Sequence, residues 1–209
     1  MNFLPNFFDR KIGSTKILHT ESSASEKLAI ELHSKMHILD SNRQIVFVCI
    51  GTDRSTGDSL GPLVGTLLEE KPIMPFFVYG TLDDPIHAVN LSDKILEIKG
   101  KHKNPFIIGI DACLGRLKNV GVIQIADGPV KPGAGVNKDL PEVGDIHITG
   151  IVNVSGFMEF FVLQNTRLNL VLKMAKTIAN GIHEATTVYQ QQNQWSNLTW
   201  EQTSKEKLT

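Results

Sequence analysis

Apolar residues in this chain recur at two different spacings, and the change from one to the other marks out the elements. Between 22 and 39, Leu28, Leu32, Met36 and Leu39 fall at helical spacing behind serines that can cap a helix, which predicts one amphipathic helix. The run at 45–51 is unbroken and rich in β-branched residues, as in a strand buried on both faces of a parallel sheet. A polar loop, TDRSTG, leads into a segment from Asp58 with helical periodicity, closed by Pro72 and Pro75. A second strand is predicted at 76–80, a helix at 85–99 with Pro85 in its first turn, and a third buried strand at 105–112. This β-α-β-α-β order, with short connections and right-handed crossovers, predicts a doubly wound sheet.

Beyond Asp111 the pattern changes. Two further strands are predicted at 120–126 and 145–152. The stretch between them, 128–144, is rich in Gly and Pro and shows no core pattern, so it reads as a long functional loop. A last helix is predicted over 157–182, with Gly181 as a C-terminal cap. The chain from about 188 onward is polar and reads as disordered. The expectation is one α/β domain over 1–209: three layers, α/β/α, a mostly parallel central sheet, a core at about 22–188, and flexible ends at 1–20 and 189–209.

Composition narrows the function classes. The 209 residues are 41% hydrophobic and 21% charged, as in a globular protein, and a formal net charge of −1 gives no reason to expect a nucleic-acid partner. No apolar run reaches the roughly 20 residues that span a bilayer, so no membrane partner is expected. Two cysteines without a CxxC fit a reducing, cytoplasmic setting.

In open α/β sheets ligands bind outside the carboxyl ends of the strands. Asp111 ends one predicted strand, and Asp58 opens the helix after another. Singly, Asp58 is also a good helix cap and Asp111 an ordinary strand-end polar group. Together, in one crevice, the two suit general acid–base work. Neighbouring carboxyls resist double ionisation, so one keeps a proton to polarise a carbonyl while the other takes a proton from water. The loop is not a Walker phosphate loop, because five residues separate Gly51 from Gly57 and Asp58 stands where a lysine is required. Arg54 can contact a substrate carbonyl or carboxylate. Cys113 can line the site, although no histidine near it in sequence marks it as a nucleophile. Metal binding is the rival chemistry, with His87 and His147 as its candidate histidines. His147 comes early in its strand, away from the carboxyl ends.

GTDRSTGDSLGPLVG and GIDACLG together resemble the YyaC family of sporulation proteins, over roughly 45–182. That family is similar to the spore germination protease and, more distantly, to hydrogenase maturation endopeptidases. The resemblance implies a phosphorylase/hydrolase-like fold and an endopeptidase with Asp58 and Asp111 as its catalytic pair. Arg54, Ser59, Cys113 and Asn153 are the residues expected around the substrate. The implied partner is a peptide or protein substrate, small acid-soluble spore proteins among them, met in the forespore or spore interior. The hydrogenase endopeptidases add a histidine before the last helix to hold nickel. This chain has Asn153, Val154 and Ser155 there, so no metal and no cofactor is expected. The alternatives are a non-catalytic protein that binds a peptide or protein partner on the same scaffold, and a metal-dependent processing peptidase.

Overall fold

The structure is a computed structural model that describes residues 14–36, 43–133 and 140–206; from 193 onward only the helical backbone is described. Its strands are β1 (Thr15–Leu18), β2 (Ile45–Cys49), β3 (Phe77–Tyr79), β4 (Phe106–Gly115), β5 (Val122–Asp127) and β6 (Ile146–Val154). Its helices are α1 (Ala24–Met36), α2 (Leu60–Glu69), α3 (Leu91–Lys101), α4 (Glu159–Gln164) and α5 (Leu168–Glu206). The strands form one sheet in the order β1-β5-β6-β4-β2-β3. β3, β2, β4 and β6 run parallel, while β5 is antiparallel to both its neighbours. The expected α/β class with a mostly parallel sheet is what is found.

The unbroken apolar runs are the central strands. Residues of β2 alternate between two cores. Phe47 and Cys49 face α1, α2 and α5 with Ile108 and Ile110, while Val46 and Val48 face α3 with Ile107. Burying an aliphatic side chain of this size contributes about 1.5–3 kcal/mol, so a strand with two covered faces is held from both sides. α2 lies so close to the end of β2 that a Cβ on Gly61 would meet the Ile50 carbonyl oxygen at 2.1 Å, and one on Gly65 would meet that of Gly80 at 2.3 Å. The four-residue spacing of these glycines is therefore a close-packing feature.

Several boundaries differ from expectation, each for a local reason. The segment at 85–90 is not helical: Gly51 N–H donates to the Ile86 carbonyl, and Ile50 bridges Ile86, so the chain extends the sheet before α3 begins. The predicted helix over 157–182 is broken into α4 and α5. Asn165 and Thr166 turn their side chains back onto the Phe161 and Val162 carbonyls, at 2.8 and 2.9 Å, offering the backbone an alternative to helix continuation. α5 then runs through the polar stretch read as disordered, with Tyr189 edge-on to Phe76 at 5.8 Å between ring centroids. Part of the N-terminal stretch read as flexible is strand β1, whose Ile17 is buried. The end of the predicted first helix, 37–39, lies outside the described residues.

The long Gly/Pro segment does contribute to the core. Val130 and Val143 form an antiparallel bridge, with hydrogen bonds of 2.8 and 2.9 Å, and both are buried beside α3. This strap crosses β4 where Gly109 leaves room: a Cβ there would meet Val130 and Val143 atoms at 2.8 Å. The bridge fixes the strap at its two ends. Residues 134–139 lie outside the description.

Candidate active site

β2 and β4 are paired in parallel, Cys49 opposite Ile110; β2 ends there, whereas β4 runs on to Gly115, so Asp111, expected at a strand end, lies within β4 beside the end of β2. Asp58 stands two residues before α2, in the loop that leaves β2. That loop is pinned at three points. Thr52 N–H donates to the Asp58 carbonyl at 3.2 Å, Ser59 N–H to Ser55 at 3.0 Å, and Gly57 N–H to Leu163 of α4 at 2.9 Å. Gly51 adopts φ +148, and a Cβ there would lie 1.9 Å from the Asp58 carbonyl oxygen, so a bare backbone at this position lets the loop fold back on the strand end.

The two carboxyls belong to one site. Both line a cavity of about 610 Å³ bounded by Ile50, Arg54, His87, Val89, Leu140 and Phe160. Both also line a second cavity of about 240 Å³, with Cys113, Lys131, Thr149, Ser155 and Glu159. The acid pair thus forms the junction between two halves of a cleft, beneath the strap residues Pro132 and Gly133.

Electrostatics distinguish the two acids. Burial pushes the Asp111 carboxyl well above the usual carboxylate range; its hydrogen bond from Ala112 N–H, at 2.8 Å, opposes the shift and the charge of Asp58 adds to it. Asp58 is also raised by burial, and the neighbouring Ser55 hydroxyl offsets part of that. Ser55 is buried, 5% exposed, and its oxygen makes no well-formed hydrogen bond within the protein. Asp111 is therefore the better holder of a proton and Asp58 the better anion.

The other predicted site residues divide. Arg54 is exposed, lines the larger cavity, and has no ion-pair partner among the described residues. Cys113 lines the smaller cavity. Burial, opposed by a hydrogen bond with Thr149 and reinforced by the Asp111 charge, pushes its thiol up to about 11, so it is no thiolate nucleophile at neutral pH. Ser59 is not in the cleft. It is buried, and its hydroxyl donates to the Thr56 carbonyl at 2.7 Å, as suits a residue entering a helix. Asn153 is also a fastener: its amide donates to the Val162 carbonyl and the Thr166 hydroxyl, both at 3.2 Å, holding α4 to the end of β6. The Ser59 hydroxyl and the Asn153 amide, both expected at the substrate, are thus engaged within the fold, and neither residue lines the two cavities.

Of the metal candidates, His87 lines the larger cavity, whereas His147 sits at the start of β6 against the Gly128 carbonyl at 2.8 Å. Among the described residues no group of three or more His, Cys, Asp or Glu side chains is placed to hold a metal ion. Residues absent from the sequence reading are Ser55, Val89, Lys131, Glu159 and Phe160. Phe160 carried a readable signal, since FMEFF is too apolar for an ordinary helix start.

A family model described as "Protein of unknown function (DUF1256)" matches residues 16–181. "Uncharacterized protein YyaC" from Bacillus subtilis (strain 168) is 62% identical over 166 residues, 79% of this chain and 80% of that protein. The likeness to YyaC read from the two aspartate motifs is thereby shown. Among solved structures, the NiFe hydrogenase maturation protease HycI from Thermococcus kodakarensis KOD1 aligns over 75% of this chain and 99% of its own, at 19% identity and a TM-score of 0.48. Among the described residues no helix is long and apolar enough to cross a membrane.

Proposed function

The chain belongs to the DUF1256 family, and we propose, from the geometry of its own site, that it is an endopeptidase that hydrolyses peptide bonds with the Asp58–Asp111 pair. The observation that carries the reading is that two half-buried carboxyls, Asp111 from within β4 and Asp58 from the loop after the neighbouring β2, line the same two cavities with unequal proton affinity. Unequal partners are what acid–base hydrolysis requires.

In the proposed reaction the ionised Asp58 takes a proton from water as the water oxygen adds to the scissile carbonyl carbon. Asp111 gives its proton to the carbonyl oxygen. The resulting gem-diol collapses as the C–N bond breaks. Asp58 returns its proton to the departing amine, and one gem-diol hydroxyl returns a proton to Asp111. The products are an acid and an amine, and both aspartates end as they began. Arg54 reaches a substrate carbonyl or carboxylate from the cavity wall, and Pro132, Gly133 and Leu140 of the strap flank an extended peptide. Small acid-soluble spore proteins are the first substrates to try, on the resemblance to the spore germination protease.

The test is digestion of those proteins and of a peptide library, read by mass spectrometry. Reproducible cuts are expected from the natural chain, with Asp58→Asn and Asp111→Asn each reducing the rate at least ~100-fold while circular dichroism is unchanged. Turnover retained in both variants defeats the mechanism. A stoichiometric partner recovered uncut favours a binding protein on this scaffold.

A further inference from the structure

The two halves of the cleft differ in chemistry. On one side of the aspartates the wall is mostly apolar, with Ile50, Ala88, Val89, Pro132, Leu140 and Phe160, and it also carries Thr52, Arg54 and His87. On the other side Lys131, Thr149, Ser155 and Glu159 supply polar groups. The apolar half is also the larger, about 610 against about 240 Å³.

Its rim is unfinished. Val89 is 85% exposed and Phe160 is 53% exposed, although both edge a cavity lined by apolar side chains. Val89 stands in the turn between the Ile50–Ile86 bridge and α3, so its place is set by the sheet. Phe160 is set by α4, which Asn153 and the Gly57–Leu163 hydrogen bond tie to the strand ends and to the Asp58 loop. Two large apolar groups are thus held in water by fixed elements on the rim of a concave apolar surface. Such a surface gains free energy only when another apolar group covers it.

From this we infer that the apolar half-cleft is a specificity subsite for a bulky aliphatic or aromatic side chain immediately beside the scissile bond of an extended peptide. The inference rests on the endopeptidase reading for the words "scissile bond"; the binding preference itself rests on the walls alone. A peptide lying across the acid junction puts one side chain in each half. A large apolar one is the occupant that closes the Val89–Phe160 rim. A cationic side chain would instead pair with the aspartates and quench them. Filling the subsite also shields the carboxyl pair from bulk solvent on that side while leaving the one water that the hydrolysis consumes.

The test uses the full chain carrying Asp111→Asn, so that bound peptide is not consumed. Blocked five-residue alanine peptides are compared, with phenylalanine, leucine, serine, aspartate or lysine at the centre, by isothermal titration calorimetry. The phenylalanine and leucine peptides are expected to bind at least about tenfold more tightly than the other three. Val89→Ser and Phe160→Ser, both on the rim and outside the core, are each expected to remove most of that preference while circular dichroism stays unchanged. Equal affinities, no measurable binding of any peptide, or a preference that survives both rim variants overturns the subsite. Cleavage of the same peptides by the natural chain separates the two claims. Preferential binding without any cut removes the endopeptidase reading and leaves the subsite. Cuts beside serine or lysine as fast as beside phenylalanine remove the subsite and leave the endopeptidase.

Discussion

Asp58 and Asp111 differ through what surrounds each carboxyl, and Ser55 supplies part of the difference. Both acids are raised by burial, but the Ser55 hydroxyl lowers Asp58 while the Asp58 charge raises Asp111. Ser55→Ala removes a hydroxyl that has no well-formed partner in the protein, so the fold does not depend on it. Without that hydroxyl Asp58 holds its proton to higher pH. The acidic limb of the kcat/KM profile, which requires Asp58 ionised, is therefore expected to move upward in pH. The alkaline limb, which requires Asp111 protonated, should stay in place. Profiles of both proteins from about pH 4 to about pH 9 check this; a drop in rate at every pH with no displaced limb would contradict the role of Ser55. The sequence made the two acids legible because each lies next to a recognisable buried run. Ser55 was not legible, since its burial follows from how the loop folds back, and no local pattern records that.

At the scale of elements, the site depends on α4 as much as on the strands. Gly57 N–H donates to Leu163, and a Cβ on Gly57 would sit 2.7 Å from the Leu163 side chain and 3.1 Å from its backbone. A methyl group there meets backbone that cannot rotate aside, so α4 or the Asp58 loop must move. Gly57→Ala is expected to cost about 1–3 kcal/mol of stability. It should also lower kcat/KM by an order of magnitude or more, because Asp58 is the very next residue. Chemical denaturation and peptide hydrolysis measure the two effects. A variant with native stability and native rate would show that α4 does not position the acid. The break between α4 and α5 was hidden by periodicity, since the apolar spacing of 157–182 continues through it. What stops the helix is hydrogen bonding by Asn165 and Thr166, which a hydrophobic pattern does not report. Strand β1 was hidden for the opposite reason: only Ile17 of its four residues is buried, and its place comes from pairing with β5.

For the molecule as a whole, the central parallel strands β2 and β4 were readable because a strand covered on both faces reads as an unbroken apolar run, and their buried residues divide between the two cores. The antiparallel insertion of β5 and the strap's share of the core needed the tertiary register, which single-chain patterns do not carry. The same architecture makes the site costly to the fold, and this can be measured. Asp111 binds its proton more tightly folded than unfolded, because burial and then the Asp58 charge disfavour its ionised form. A group whose folded pKa is raised contributes its full stability below the ordinary carboxylate range. That stability is lost as pH rises through the folded value. Asp111→Asn cannot ionise, and its side-chain oxygen can still accept from Ala112 N–H. Its melting temperature should therefore match that of the natural chain in acid and exceed it increasingly as pH rises toward neutrality. For a chain of this length each kcal/mol corresponds to about 2–4 °C. Scanning calorimetry across that range is the measurement. A difference that stayed constant with pH, or reversed its sign, would mean that Asp111 does not bear a buried proton, and the proposed chemistry would lose its acid.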